Sequence, residues 1–293
     1  TCVLTVLVVV TTVLVSAIVY VKGDLVVNLD EYKANQNQTS FVYAYDKSGA
    51  TVELARLHGE EDRVWVDLDD MSPYLKEAFI ALEDTRFMKH HGVDWIRTFG
   101  VIIKPKNIGQ GGSTITQQLI KNVTNNKEVT IVRKYREILM ALNLEENYNK
   151  DVILEAYLNT LYLGSGCYGV KTASEKYFGK DVSELDAAEC ACLAVITKAP
   201  TKYNPLLNPE ENLKRRNHCL KLMYDEGKGC LNEEEYNAAT TENLIFTNSP
   251  DYVPSDKIKD TKTANEDEKV INSFYVDYVI QAVSDDLMEK YGY

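Results

Sequence analysis

The sequence predicts a mainly α-helical protein with an uncharged apolar segment at its start and a short β-rich stretch after it. Three observations carry this. Residues 1–21 hold no charged side chain, the first charge being Lys22. In residues 22–71 apolar and polar side chains alternate with period two, as in Phe41-Val-Tyr-Ala-Tyr45 and Val64-Trp-Val-Asp-Leu68. From Ser72 to about residue 246, apolar residues recur at three- and four-residue spacing almost throughout.

Each element has its own signal. At about 1.5 Å per residue a helix over 1–21 is roughly 30 Å long, the thickness of a bilayer core, so a transmembrane helix is expected there. A cleaved signal peptide is the alternative, but the run is long for one and no clear A-x-A site follows it. In the β-rich segment, Asp46 to Gly49 reads as the turn of a hairpin. Ser72-Pro73 reads as an N-cap with Pro in the first turn, opening a helix whose Leu75, Phe79 and Leu82 share one face. Residues 93–110, with Trp95, Phe99, Val101, Ile102 and Ile103 interrupted by Gly100 and Pro105, read as an apolar helix plus loop. Residues 247–269, with Pro250, Pro254 and a run of Asp, Lys and Glu, read as a polar linker, and 270–293 as the start of a further helix.

Composition narrows the function. A chain of 293 residues that is 45% hydrophobic and 10% aromatic can bury a substantial core. A net charge of -12 argues against a nucleic-acid partner, so any anionic substrate must be held by a local cluster of cations. The six cysteines form no zinc-ligand spacing with the four scattered histidines. Disulfides Cys167–Cys190 and Cys219–Cys230, or free buried thiols, both fit the pattern.

Chemistry concentrates in five blocks. Glu83-Asp84-x-x-Phe87-x-x-His90-x-Gly92 puts a carboxylate at the end of an apolar helix, where partial burial is expected to raise its pKa and suit it to act as a base. Gly112-Ser113-Thr114-x-x-Gln117-Gln118-x-x-Lys121-Asn122 follows Gly109 and Gly111 and supplies backbone N–H groups, hydroxyls, amides and an ammonium at a helix start, a natural place for an anion. Arg133-Lys134-x-x-Glu137 places two cations and an acid on adjoining turns of one helix face. Glu155-x-Tyr157-Leu-Asn159 lies on an amphipathic helix, where Glu155 and Asn159 are expected to fix neighbouring elements. Lys198-Ala-Pro200 and Arg215-Arg216-x-x-Cys219-Leu220 add further cations.

Taken together, these blocks resemble the peptidoglycan glycosyltransferases, family 51, the module found in class A penicillin-binding proteins. The likeness runs from about Asp70 to Leu222. It departs only at Cys219, where an apolar residue such as Val is usual. The resemblance implies a lysozyme-like helical domain over 72–246 with a small jaw subdomain, anchored in the cell membrane by a single pass with the catalytic part outside. It implies polymerisation of lipid II into β-1,4-linked glycan with inversion and release of undecaprenyl pyrophosphate. Glu83 would be the base. Glu137 would organise the leaving pyrophosphate, directly or through Mg²⁺ or Mn²⁺. Ser113, Thr114, Gln117, Gln118, Lys121, Asn122, Arg133, Lys134, Lys198 and Arg216 would bind substrate, with Asp84, Phe87, His90, Gly92, Glu155 and Asn159 in support. The 93–110 segment would be a lipid-facing flap. Partners would be lipid II, the growing glycan, the membrane and other cell-wall synthesis proteins, with no nucleic acid.

Rival readings are a membrane-bound muramidase or lytic transglycosylase, and a non-catalytic scaffold. The first has no need of the cations at 121, 133, 134 and 216, and the second has no need of both acids. The sequence holds no Ser-x-x-Lys and no Lys-Thr-Gly, so it carries no transpeptidase site of its own.

Overall fold

A computed structural model describes residues 25–35, 40–45, 51–57, 62–103, 112–125, 130–225 and 229–253, together with a few isolated positions. The expected membrane segment, the turn at 46–49, the glycines at 109 and 111, the linker beyond residue 253 and the last helix lie outside the described residues. Among the described residues no helix is long and apolar enough to cross a membrane.

The described chain is mainly helical. A short helix, α1 (Leu29–Ala34), capped by the Asn28 side chain, precedes the strands β1 (Ser40–Tyr45) and β2 (Thr51–Leu57), which pair antiparallel from Ser40↔Leu57 to Tyr45↔Thr51. The third strand, β3 (Asp62–Arg63), pairs parallel with a distant one, β4 (Cys167–Tyr168). The helices that follow are α2 (Pro73–Glu83), α3 (Trp95–Ile103), α4 (Ile115–Thr124), α5 (Ile131–Asn147), α6 (Lys150–Thr160), α7 (Val170–Phe178), α8 (Ala187–Ile196), α9 (Pro209–Asp225) and α10 (Glu233–Thr241).

Helix α8 is the axis of the fold. Its sequence, AAECACLAVI, is apolar on every side, and all ten residues are buried. A helix of that kind has no face to offer water and must be surrounded. Packed on it are α2, α9, α7 and α10, while α4 rests on α5 and α6. Its one charge, Glu189, completes a capping box with Asp186 and is paired with Lys180 at 2.6 Å. Leu75, Phe79 and Leu82 of α2 all point into this core.

Two local expectations resolve differently from their sequence signals. Ser72 stands at the start of α2 with Pro73 after it, yet its hydroxyl donates to Leu185 O at 2.7 Å instead of capping the helix. Residues 64–67 join no strand among the described residues, and Leu68 opens a short 3₁₀ turn, Leu68–Asp70. The backbone of this segment is bonded by side chains of α6: Val66 N donates to Asn159 Oδ1 at 3.0 Å, Asn159 Nδ2 donates to Val66 O at 2.8 Å, and Leu68 N donates to Glu155 Oε2 at 3.1 Å. A side-chain amide thus supplies what a neighbouring strand would. The five described cysteines are free thiols, and neither disulfide is formed. Four are buried, with Cys219 donating to Ala78 O at 3.6 Å. Burial pushes the Cys230 thiol up to about 11.

Gly92 shows how tightly the loop after α2 is seated. Its φ is +78°, and a Cβ there would lie 2.5 Å from Ala141 O of α5. Both backbone conformation and close approach demand glycine. Gly92→Ala is expected to lower unfolding free energy by about 2–4 kcal/mol. Urea denaturation checks this, and an unchanged midpoint would refute the close packing.

Candidate active site

Glu83 is the last residue of α2, where the chain leaves the core. Its carboxylate accepts two hydrogen bonds from neutral groups: Gln118 Nε2 donates to Oε2 at 3.0 Å, and Thr197 Oγ1 lies 3.1 Å from Oε1. Gln118 is itself oriented. Tyr157 OH donates to Gln118 Oε1 at 3.2 Å, which leaves the amide nitrogen facing Glu83. Burial, reinforced by the charges of Glu83 and Asp84, holds the Tyr157 phenol well above its ordinary range, so it remains a donor.

The neighbouring Asp84 is fully buried and does a different job. Its Oδ2 accepts from Ile115 N at the start of α4 at 3.0 Å and contacts His90 Nε2 at 2.9 Å. Arg97 lies 3.6 Å from Oδ1. A buried carboxylate needs such partners, and the positive end of α4 supplies one. His90 Nδ1 faces Glu145 at 3.9 Å, and Glu145 is held by Lys150 and Thr116, each at 2.5 Å. Lys150 in turn lies over the Phe87 ring, 4.4 Å from its centroid. His90 and Phe87 therefore anchor the loop between α2 and α3.

Arg97 joins the acid to the second block. NH1 donates to Glu83 O at 2.8 Å and NH2 donates to Ser113 O at 3.1 Å. Ser113 Oγ accepts from Lys134 Nζ at 2.9 Å. Lys134 and Arg133 clasp the two oxygens of Glu137, with Arg133 NH1 2.5 Å from Oε2. Glu137 is buried, while the Lys134 side chain keeps 39% of its surface exposed and can reach a ligand. The blocks containing Glu83, Ser113 and Glu137 thus form one continuous site.

The predicted binding residues separate into two groups. Thr114 and Gln117 are buried and form the capping box of α4, and Thr114 Oγ1 also donates to Gly92 O at 2.6 Å. Their polar atoms are engaged within the fold. Arg216 is engaged in the same way. It is 2% exposed, and its guanidinium donates to Glu242 O, Thr240 O and Asn217 Oδ1. Lys121 and Lys198 are exposed and have no partner among the described residues. Asn122 is half-buried in the last turn of α4. Glu155 accepts from Trp65 Nε1 at 2.9 Å as well as from Leu68 N, so it and Asn159 hold the 65–68 segment against α6.

The family model described as Transglycosylase matches residues 50–224. The chain belongs to this family. Among its relatives, penicillin-binding protein 1A/1B of Bacillus subtilis is 42% identical over 216 residues, covering 72% of this chain and 23% of that protein. Penicillin-binding protein 1A of Aquifex aeolicus is also 42% identical, covering 74% of this chain and 30% of its own length. This chain therefore spans less than a third of either relative. A crystal structure of penicillin-binding protein 1A from Haemophilus influenzae aligns over 88% of this chain and 25% of that one, at 24% identity with a TM-score of 0.42.

Three transglycosylase site residues escaped sequence reasoning. Arg97 is the only charge in α3, WIRTFGVII, and that isolation was the available signal. Thr197 sits one position before Lys198, and Tyr157 lies inside the fourth block, but neither position announces a bond to the Glu83 region. The two classes of polar residue can be separated by measurement. Thr114→Ala is expected to cost about 1–2 kcal/mol of stability as a lost cap, whereas Lys121→Ala should stay within about 0.5 kcal/mol of the parent. Equal denaturation midpoints for the two variants would contradict this division.

Proposed function

We propose that this transglycosylase chain polymerises lipid II into β-1,4-linked glycan, as a peptidoglycan glycosyltransferase. The carrying observation is that Glu83, whose carboxylate partners among the described residues are neutral donors, is tied through Arg97 and Ser113 to the Lys134–Arg133–Glu137 cluster. An acid with a basic cluster beside it suits transfer from a pyrophosphate, a reaction that needs both a base and an electrostatic sink for the leaving group.

In this reading Glu83 removes the proton from the attacking sugar hydroxyl. The hydroxyl oxygen bonds to the anomeric carbon of the donor with inversion while the bond to pyrophosphate breaks. Lys134 and Arg133, with exposed Lys121 and Lys198, stabilise the charge that develops on the departing phosphates. The same reading places the domain at the outer face of the cell membrane, in a lysozyme-like fold, working on lipid-linked substrates and alongside other cell-wall synthesis proteins. The apolar residues Trp95 and Ile96, 46% and 75% exposed, support a lipid-facing role for α3.

A divalent cation fits only in part. Among the described residues no group of three His, Cys, Asp or Glu side chains converges, and both oxygens of Glu137 already face cations. Mg²⁺ or Mn²⁺ would take Glu137 as a single protein ligand, the rest coming from substrate phosphates and water, and would supply charge neutralisation. On this proposal, chelation lowers turnover and added Mg²⁺ or Mn²⁺ restores it; unchanged turnover in EDTA removes the metal from the scheme.

The deciding assay incubates detergent-solubilised protein with labelled lipid II and scores polymer that lysozyme digests. The parent is expected to make it, and Glu83→Gln to slow it by roughly 10²–10⁴-fold. A folded parent that makes no polymer but cleaves preformed glycan would instead be a hydrolase.

A further inference from the structure

We propose that Thr197 is a positioning residue for Glu83, a hydroxyl whose single proton follows the charge of that carboxylate. This rests on the reading of Glu83 as a base. Thr197 is the residue at the C-terminal end of α8, the buried axis of the fold. Its Oγ1 lies 3.1 Å from Glu83 Oε1 and 2.8 Å from Ala194 O, one turn back in the same helix. A hydroxyl has one proton to give, so only one of these contacts is made at a time.

Which one is made depends on Glu83. When the carboxylate is ionised it is the stronger acceptor, and the proton turns to it. When Glu83 has taken a proton from the substrate, its demand falls and the hydroxyl returns to the backbone carbonyl, a bond that threonines near helix ends commonly make. The hydroxyl is never left without an acceptor, so the contact favours the ionised form without stranding a polar group in the other. Gln118 behaves differently. Tyr157 fixes its orientation, so its N–H faces Oε2 whatever the state of Glu83. Oε1 therefore has an adjustable partner and Oε2 a fixed one.

The surrounding charges leave this contact as the adjustable element. Asp84 adjoins Glu83 in the chain and contacts His90 and Arg97. From α3, Arg97 bonds the Glu83 backbone carbonyl. Tyr157 from α6 and Cys219 from α9 both feel the Glu83 charge and are both kept protonated by burial. From α8 comes Thr197 itself, with exposed Lys198 next to it in sequence.

A hydrogen bond to the charged form favours that form, so removing it means that higher pH is needed to ionise the base. Thr197→Val and Thr197→Ala are expected to move the acidic limb of the kcat/KM profile for lipid II polymerisation upward by about one pH unit, a tenfold loss below the midpoint. The alkaline plateau should fall by no more than about threefold. Thr197→Ser, which keeps the hydroxyl, should restore the parent profile. In parallel, the Glu83 carboxyl is titrated directly in ¹³C-glutamate-labelled protein, its signal assigned by its absence in Glu83→Gln. The same upward movement is expected in the valine and alanine variants. An unmoved titration, or a loss equal at every pH that serine does not repair, overturns the proposal. A parent that makes no polymer while its titration still responds to Thr197→Val sinks the transferase reading and leaves the contact standing.

Discussion

The Arg97 guanidinium is the interaction on which the site depends. It donates to the carbonyls of Glu83 and Ser113 and lies beside Asp84, so it joins the end of α2 to the entry of α4. The Glu83 carbonyl ends α2 and the Ser113 carbonyl precedes α4, so each would otherwise be an orphan of a helix end or loop. A guanidinium suits the place because its donors are splayed in a rigid fork and it stays charged at any working pH. Asp84 compensates that charge and reaches the first N–H of α4 from the other side. Acid, loop and helix start are thus locked by one small network, and the Lys134–Glu137 cluster attaches to it through the Ser113 hydroxyl.

Burial then sorts the polar residues of the motif blocks. Those with inward-facing side chains must find partners within the protein, because an unpaired polar group there costs more than the bond it forgoes. Thr114 and Gln117 satisfy each other as a capping box, Asn159 bonds the backbone of Val66, and Arg216 closes carbonyls at the end of α10. Such residues shape the site without facing it. The exposed cations Lys121 and Lys198 face outward instead, and the described partners of the Glu83 carboxylate are uncharged. A single string of polar letters therefore contains both scaffold and reactive surface.

The rigidity of this arrangement traces to α8. Because every side of that helix is covered, its C-terminal end is held firmly, and Thr197 presents its hydroxyl to Glu83 from a fixed platform. Gln118 is fixed from another direction by Tyr157 of α6. Three helices thus meet at one carboxylate, and with their backbones held in place a change of charge there asks for no more than the turn of one hydroxyl.

Much of this protein was legible in its sequence. Helical periodicity located α2 and the helices after it, because a 3.6-residue repeat of apolar side chains has few other uses, and the spacing of the blocks around Glu83, Ser113 and Glu137 named the family. Where a pattern had two physical solutions, the sequence was mute. Val64–Leu68 alternates like a strand, but only the fold shows that Asn159 and Glu155 take the place of a neighbouring strand. Cysteine spacing left disulfides and thiols equally open, and packing settled on thiols. The sequence likewise counted Thr114, Gln117 and Arg216 with Lys121 and Lys198, since all are polar residues in ligand-binding blocks. Tertiary structure divided them, because the direction of a side chain depends on what packs around it. Thr197 lies 114 residues from the carboxylate it contacts, and a hydroxyl so far along the chain becomes part of a site only when folding brings it there.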